Sequence, residues 1–173
     1  MRFLFIMLTI VWLLFSWVCF SALRWQPPLP RPWHAEDALS RSDPARIDAD
    51  IEEITQRLEN PTLAEQERAW YCFQRAQCYW LKTYLQNSRL SQLTYLKLSL
   101  KDCFSALELV PDHPSYLYAA ADLYHQMKDY AEAEKYYQKV LKIRPDYALA
   151  YRRYHEMLEE MGQKEDEKKP GND

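Results

Sequence analysis

Apolar positions recur at helical spacing through most of this chain. Ile47, Ile51, Ile54 and Leu58 are spaced four, three and four residues apart, which places them on one stripe of a 3.6-residue helix. Asp43 is positioned to cap that helix and Pro44 to occupy its first turn, while Asn60 and Pro61 end it. The opposite face carries Asp48, Asp50, Glu52 and Glu53 and reads as a solvated surface. Thr62 and Glu65 have the spacing of a capping box. They predict a second helix running to about Tyr84 or Gln86, through the aromatic stretch WYCFQRAQCYW. In DYAEAEKYYQKVLKIRPDY, residues 129–147, Asp129 and Glu132 form the same box, and Pro145 stops the helix. No stretch of strict apolar–polar alternation stands out, so no sheet is expected.

The N-terminal pattern is different. Residues 3–23, FLFIMLTIVWLLFSWVCFSAL, contain no charge. As a helix they span about 31 Å, close to the hydrocarbon thickness of a bilayer. Arg24 and Trp25 follow at the level of the membrane interface. The expectation is a transmembrane anchor over residues 1–25. A cleaved signal peptide, leaving a soluble secreted protein, is the alternative. Its apolar region should be shorter, and CFSAL is a poor cleavage site. Next comes QPPLPRPW, residues 26–33, in which four prolines fall within six residues. Such a segment is an extended polyproline-type strut reaching roughly 25 Å. Residues 26–43 are therefore expected to be a linker.

Composition narrows the function classes. Two glycines and thirteen tyrosines favour packed helices over sheets and turns. The formal net charge is −3, and the region beyond the apolar run is more acidic still, because Arg2 and Arg24 flank that run. This argues against a nucleic-acid partner, whose phosphates demand a basic face. It also argues against peripheral attachment to anionic lipid. Cys19 lies in the apolar run, which leaves Cys72, Cys78 and Cys103. Cys72 and Cys78 are about 9 Å apart along one helix, too far for a bridge. Buried free thiols are the main reading, with a Cys78–Cys103 bridge as the alternative. His113, His125 and His155 are scattered over different helices, and His155–Glu156 lacks the second histidine of a zinc-protease motif. No phosphate-binding loop is present. No catalysis, metal or cofactor is expected.

Pro111 and Pro145 lie 34 residues apart, and their surroundings echo each other: SALELVPDHPSYLYAAADLY and KVLKIRPDYALAYRRYHEML. Each has a helix, a Pro-Asp break and a second helix. A period of 34 residues in helix–turn–helix units resembles the tetratricopeptide repeat. Leu117 takes the place of the family's Trp, Ala120 and Ala121 those of its Leu-Gly pair, and Tyr124 that of its Tyr. Ala133 and Tyr137 match the Ala and the aromatic residue of the following helix, and Pro145 the closing proline. Small residues at Ala121 and Ala133 let two helices approach, with Tyr124 and Tyr137 filling the space beside them. Tyr151, Tyr154, His155 and Leu158 repeat the first-helix positions, with His155 expected to pack where the family has Gly. Gly162 is expected in the turn that follows, and residues 162–173 as a disordered charged tail. Upstream the match loosens, because Ala69 to His113 is 45 residues rather than 34. The excess falls around TYLQNSRLSQL and belongs either to longer helices or to a longer loop.

The resemblance implies an all-α stack of antiparallel helix pairs, about 2.5 repeats over residues 44–161, preceded by one transmembrane helix and with the 44–58 helix as an extra cap. It implies a groove lined by the first helix of each pair, in which members of the family hold peptides or helices of partner proteins. The matching positions are Trp70, Phe73, Gln77 and Trp80, then Tyr118, Asp122 and His125, then Arg152 and Glu156. Tyr118 with Arg152 is expected to be the exposed part, because the 44–58 helix is expected to cover Trp70, Phe73 and Trp80 if it covers any of them. The cationic clamp that some members use on chain termini is not matched, since Phe73, Gln77, Tyr118 and Asp122 stand at those places. The chain also resembles small bacterial membrane-anchored repeat proteins. That likeness implies an inner-membrane location with the repeats on the extracytoplasmic side, and a protein or peptide partner in a membrane-associated complex. Self-association into a homo-oligomer is the structural alternative.

Overall fold

A computed structural model describes residues 43–168, with side chains described as far as Gly162. The apolar run, the proline-rich linker and Cys19 lie outside the described residues. Among the described residues there are six helices and no strand. They are α1 (Pro44–Leu58), α2 (Glu65–Tyr84), α3 (Arg89–Leu109), α4 (Pro114–Met127), α5 (Tyr130–Ile143) and α6 (Ala148–Lys168). Each packs on the next along the chain, and α4 also touches α6.

Helix α1 begins as its sequence dictates. The Asp43 carboxylate accepts from the Ala45 amide at 3.1 Å, and Pro44 supplies the first turn, where its missing N–H costs nothing. Its isoleucine stripe is used inside the domain: Ile47 is buried, and Ile51, Ile54 and Leu58 are half-buried against α2. Arg68 closes the far end, donating to the carbonyls of Leu58 at 2.8 Å and Asn60 at 2.7 Å. These are orphan acceptors of a helix terminus. Thr62 does not cap α2, contrary to expectation. Its hydroxyl and amide both donate to the Asn60 side chain, at 2.8 and 3.0 Å, so the side chain is spent on the turn. Helix α2 starts three residues later without a side-chain cap, and Glu65 and Glu67 favour its positive end.

The long first pair resolves the excess residues into helix. Helices α2 and α3 have 20 and 21 residues, against 14 each in α4 and α5, and only residues 85–88 join α2 to α3. Ala69, Ala76, Ser99, Cys103 and Ala106 are fully buried, so the two backbones approach closely enough for Ser99 Oγ to donate to the Ala76 carbonyl at 2.7 Å. Arg75 joins three helices. Its guanidinium donates to both oxygens of buried Asp102 on α3, at 2.7 and 2.9 Å, and to Thr55 Oγ1 on α1 at 3.1 Å.

Helix α4 is the most enclosed, with the continuous run Tyr116–Leu123 buried together with His125. It ends at Lys128, whose φ of 67° is left-handed. The Asp129 amide then donates back to the Tyr124 carbonyl at 3.0 Å, the kind of 6→1 closure that ends many helices. Asp129 precedes α5 as expected, but makes no side-chain cap, and Glu132 pairs with Lys135 instead. Helix α6 passes straight through Gly162 to Lys168, so neither a turn at Gly162 nor a non-helical segment over residues 163–168 is present. Residues 163–168 are mostly Lys, Glu and Gln, which suit a solvated helix, and the first breaker is Pro170.

Candidate functional site

Helices α2, α4 and α6 share one side of the stack. Phe73 of α2 meets Tyr116 of α4, with ring centroids 4.6 Å apart, and Asp122 of α4 pairs with Arg153 of α6 at 2.9 Å. Helices α3 and α5 share the other side, where Phe104 and Tyr136 lie 5.9 Å apart. All nine residues expected to line the groove fall on α2, α4 and α6.

Most of them form its floor rather than its lining. Phe73 and Trp80 are buried, Phe73 with its ring against Tyr116 of α4, while α1 makes polar contacts with Tyr71, Arg75 and Lys82 of α2. Tyr118, expected to be exposed, is 2 % exposed and packs against Tyr137 and Tyr147 at 6.2 and 5.5 Å. The reason is local: every residue from 116 to 123 is enclosed because neighbours flank α4 on several sides. Asp122 and His125 are buried as well. Trp70, Gln77 and Glu156 are half-buried, and Arg152 is exposed. His155, expected to pack, is exposed and lies against Tyr151 at 4.3 Å.

The centre of this face is a polar network around Asp122. Arg153 donates from Nε and Nη2 to Asp122 Oδ1 at 3.0 and 2.9 Å. Gln126 donates to Oδ2 at 2.7 Å, and the Tyr137 hydroxyl lies at 3.5 Å. Arg153 also donates from Nη1 to Glu156 at 2.9 Å. Burial opposes the Arg153 charge, but Asp122 more than compensates and holds its pKa above the ordinary value. Arg153 was not among the expected groove residues, although the sequence contains a hint. It stands 31 residues after Asp122, just under one repeat period, so the two sit on facing first helices. Tyr84, at the end of α2, reaches the same region. Burial raises its pKa first, and the charges of Asp122 and Arg153 then act on it in opposite directions.

A second contact ties the end of α4 to α6. Glu160 accepts from Lys128 at 2.8 Å, lies 3.4 Å from His125 Nε2 and is 3.3 Å from the Tyr130 hydroxyl. The Lys128 hydrogen bond, with help from His125, holds the Glu160 carboxyl down to about 2. Burial lowers the His125 pKa from its ordinary 6.5, and Glu160 only partly opposes this. The depressed Glu160 pKa favours the fold at neutral pH, where the depressed His125 pKa costs it nothing. The His125 penalty appears as pH falls below 6.5, and the Glu160 contribution fades between 4.5 and about 2. Lys128→Ala should move the Glu160 midpoint up towards 4.5, read from a carboxyl titration by NMR. The Asp122 network should be unaffected.

Among the described residues the thiols are buried or half-buried. Cys72, Cys78 and Cys103 are free, and burial pushes Cys78 up to about 12 and raises Cys103. Among the described residues no three His, Cys, Asp or Glu side chains gather as metal ligands do. Among them, too, no helix is long and apolar enough to cross a membrane.

Antiparallel helix pairs stacked in sequence order, with alanines at the crossings and the first helices aligned on one side, define a helical-repeat protein. A family model described as tetratricopeptide repeat matches residues 114–147, which comprise α4, α5 and the turn after them. Over those residues the chain is similar to a tetratricopeptide repeat, with three described helices before the matched pair and one after it. No curated protein and no solved structure matches it.

Proposed function

We propose that the chain is a membrane-tethered interaction module whose α2–α4–α6 face holds a peptide or helix of a partner protein. The observation that carries this reading is the repeat at residues 114–147, since repeats of this family serve as protein-binding modules and not as enzymes. The Asp122–Arg153 network supports it by fixing α6 against α4, so that exposed Arg152 and half-exposed Glu156 are presented on a rigid support. The tether is read from the uncharged run 3–23, which is long enough for a bilayer. The repeats are assigned to the extracytoplasmic side of a bacterial inner membrane, within a membrane-associated complex. A tether raises the effective concentration of the module beside membrane-embedded partners. The apolar stripe of α1 packs inside the domain, which weakens self-association through residues 44–58.

Photo-crosslinking tests the face. A photoreactive residue replaces Arg152 on α6 in one full-length variant and exposed Lys101 on α3 in another, both in native membranes. The reading expects one discrete adduct from position 152 that is absent from position 101. Identical adducts from both positions, or none from 152, would falsify it.

A further inference from the structure

Helix α6 leaves open the stripe that α4 closes. In the matched repeat Leu117 and Ala121 of α4 are enclosed, and Tyr124 stacks on Tyr136 of α5 at 5.7 Å. The positions 34 residues later are Tyr151, His155 and Leu158, and Gly162 continues the same side of α6 by one turn. Helix α6 is the last described helix, so no counterpart of α5 follows among the described residues. Tyr151 is 57 % exposed, His155 and Gly162 are exposed, and Leu158 is half-buried. The Tyr151 ring lies on His155 at 4.3 Å, so the stripe is continuous. Its counterpart on α4 accepts an antiparallel helix, which is the shape of occupant it fits.

Gly162 points to which helix that is. A Cβ there would meet nothing within 4 Å, and its φ is not left-handed. Neither crowding nor backbone conformation within one chain calls for glycine, which costs a helix about 1 kcal/mol against alanine.

We infer that α6 is a homodimerisation surface, on which α6 of a second copy lies antiparallel about a two-fold axis. Setting Tyr151 over the second copy's Gly162 brings His155 level with the second copy's Leu158. The large ring fills the gap that the glycine leaves, twice by symmetry. Charge selects the same direction. Arg152 and Glu159 flank one edge of the stripe, and antiparallel pairing brings each Arg152 to the second copy's Glu159, as flanking residues of paired helices meet. Parallel pairing would set Arg152 against Arg152, Glu159 against Glu159 and Tyr151 against Tyr151. Within its own chain Arg152 reaches Glu156 at 4.0 Å, a loose contact that is readily exchanged. The stripe is about 17 Å long, small for a specific interface, so the dimer is weak and concentration-dependent. This goes beyond the partner-face reading and uses the neighbouring side of α6, with Arg152 at the border.

The test is sedimentation equilibrium of the purified full-length chain in mild detergent over a concentration series, with no other protein present, so either outcome leaves the partner-face reading standing. The expected result is a monomer–dimer equilibrium. Arg152→Glu alone and Glu159→Arg alone put like charges together at both contacts, and each should weaken the dimer by at least about tenfold. An equimolar mixture of the two variants restores opposite charges at both contacts, and should return most of that affinity. No defect confined to one chain can produce such a recovery. Gly162→Leu introduces a better helix former into space that is empty in the monomer, so thermal stability should hold or rise. It should nevertheless weaken the dimer about tenfold, by blocking Tyr151 of the second copy. A strict monomer overturns the inference. So does association that is unchanged in all three variants, which would place the contact outside α6. Tighter association of Gly162→Leu would mark a merely apolar surface, and failure of the mixture to recover would exclude the antiparallel pairing; either result overturns the inference.

Discussion

Asp122→Ala should lower the unfolding free energy by about 3–5 kcal/mol, the usual cost of removing one partner of a buried ion pair. Asp122 is 1 % exposed, and its carboxylate receives Arg153 twice at 2.9–3.0 Å and Gln126 at 2.7 Å. The truncation leaves a half-buried guanidinium with only Glu156 for charge compensation. Two controls separate this effect from lost packing. Asp122→Asn keeps the shape and removes the charge, and should retain most of the loss. Combining Asp122→Ala with Arg153→Met removes both charges, and should recover a large part of it, because a matched apolar pair replaces a buried ion pair at little cost. Denaturant titration of the full-length chain in mild detergent gives all four values. Arg152→Ala, one position away but solvent-exposed, should stay within about 0.5 kcal/mol of the unsubstituted chain. A comparable loss there would assign the effect to α6 as a whole and not to the buried pair.

The contrast between Arg152 and Arg153 shows where the sequence stops being informative. Periodicity and punctuation place α1 and α5 within a residue of their observed ends, because Pro44, Pro61 and Pro145 act through their own rings and need no tertiary partner. The 34-residue echo identifies the repeat because Ala121 and Ala133 reflect a packing distance that any such pair must meet. Cap residues were less legible. Thr62 and Glu132 each have the right spacing, but Asn60 and Lys135 compete for them. Gly162 reads as a turn, yet an isolated glycine costs a solvated helix only about 1 kcal/mol. The groove was legible by helix and not by exposure. Family positions assign Tyr118 and Asp122 to the first-helix face, but how deeply they sit depends on side chains arriving from other helices, among them Tyr137, Tyr147 and Arg153. Those crossings are set by tertiary packing, which no local pattern encodes.

Tyr137 provides the second large effect and separates packing from hydrogen bonding at the same site. It is fully buried on α5, between Tyr118 at 6.2 Å and Tyr154 at 5.8 Å, so it joins α4, α5 and α6. Tyr137→Ala should cost about 3–5 kcal/mol, the range for emptying an aromatic site in a core that relaxes only in part. Tyr137→Phe keeps the ring and removes a hydroxyl that lies 3.5 Å from Asp122, at the outer limit of a hydrogen bond. It should cost no more than about 1 kcal/mol. The pair of values decides what holds the repeat to the final helix. If Phe is tolerated and Ala is not, the ring stack carries the α4–α5–α6 junction, and Asp122 depends on Arg153 and Gln126 for its compensation. If Phe costs nearly as much as Ala, the phenol is an integral member of the Asp122 network. Asp122→Ala and Tyr137→Phe should then be strongly non-additive in a double-mutant cycle. A partner-binding face built on that junction would, in the second case, depend on a single buried polar cluster and not on the core as a whole.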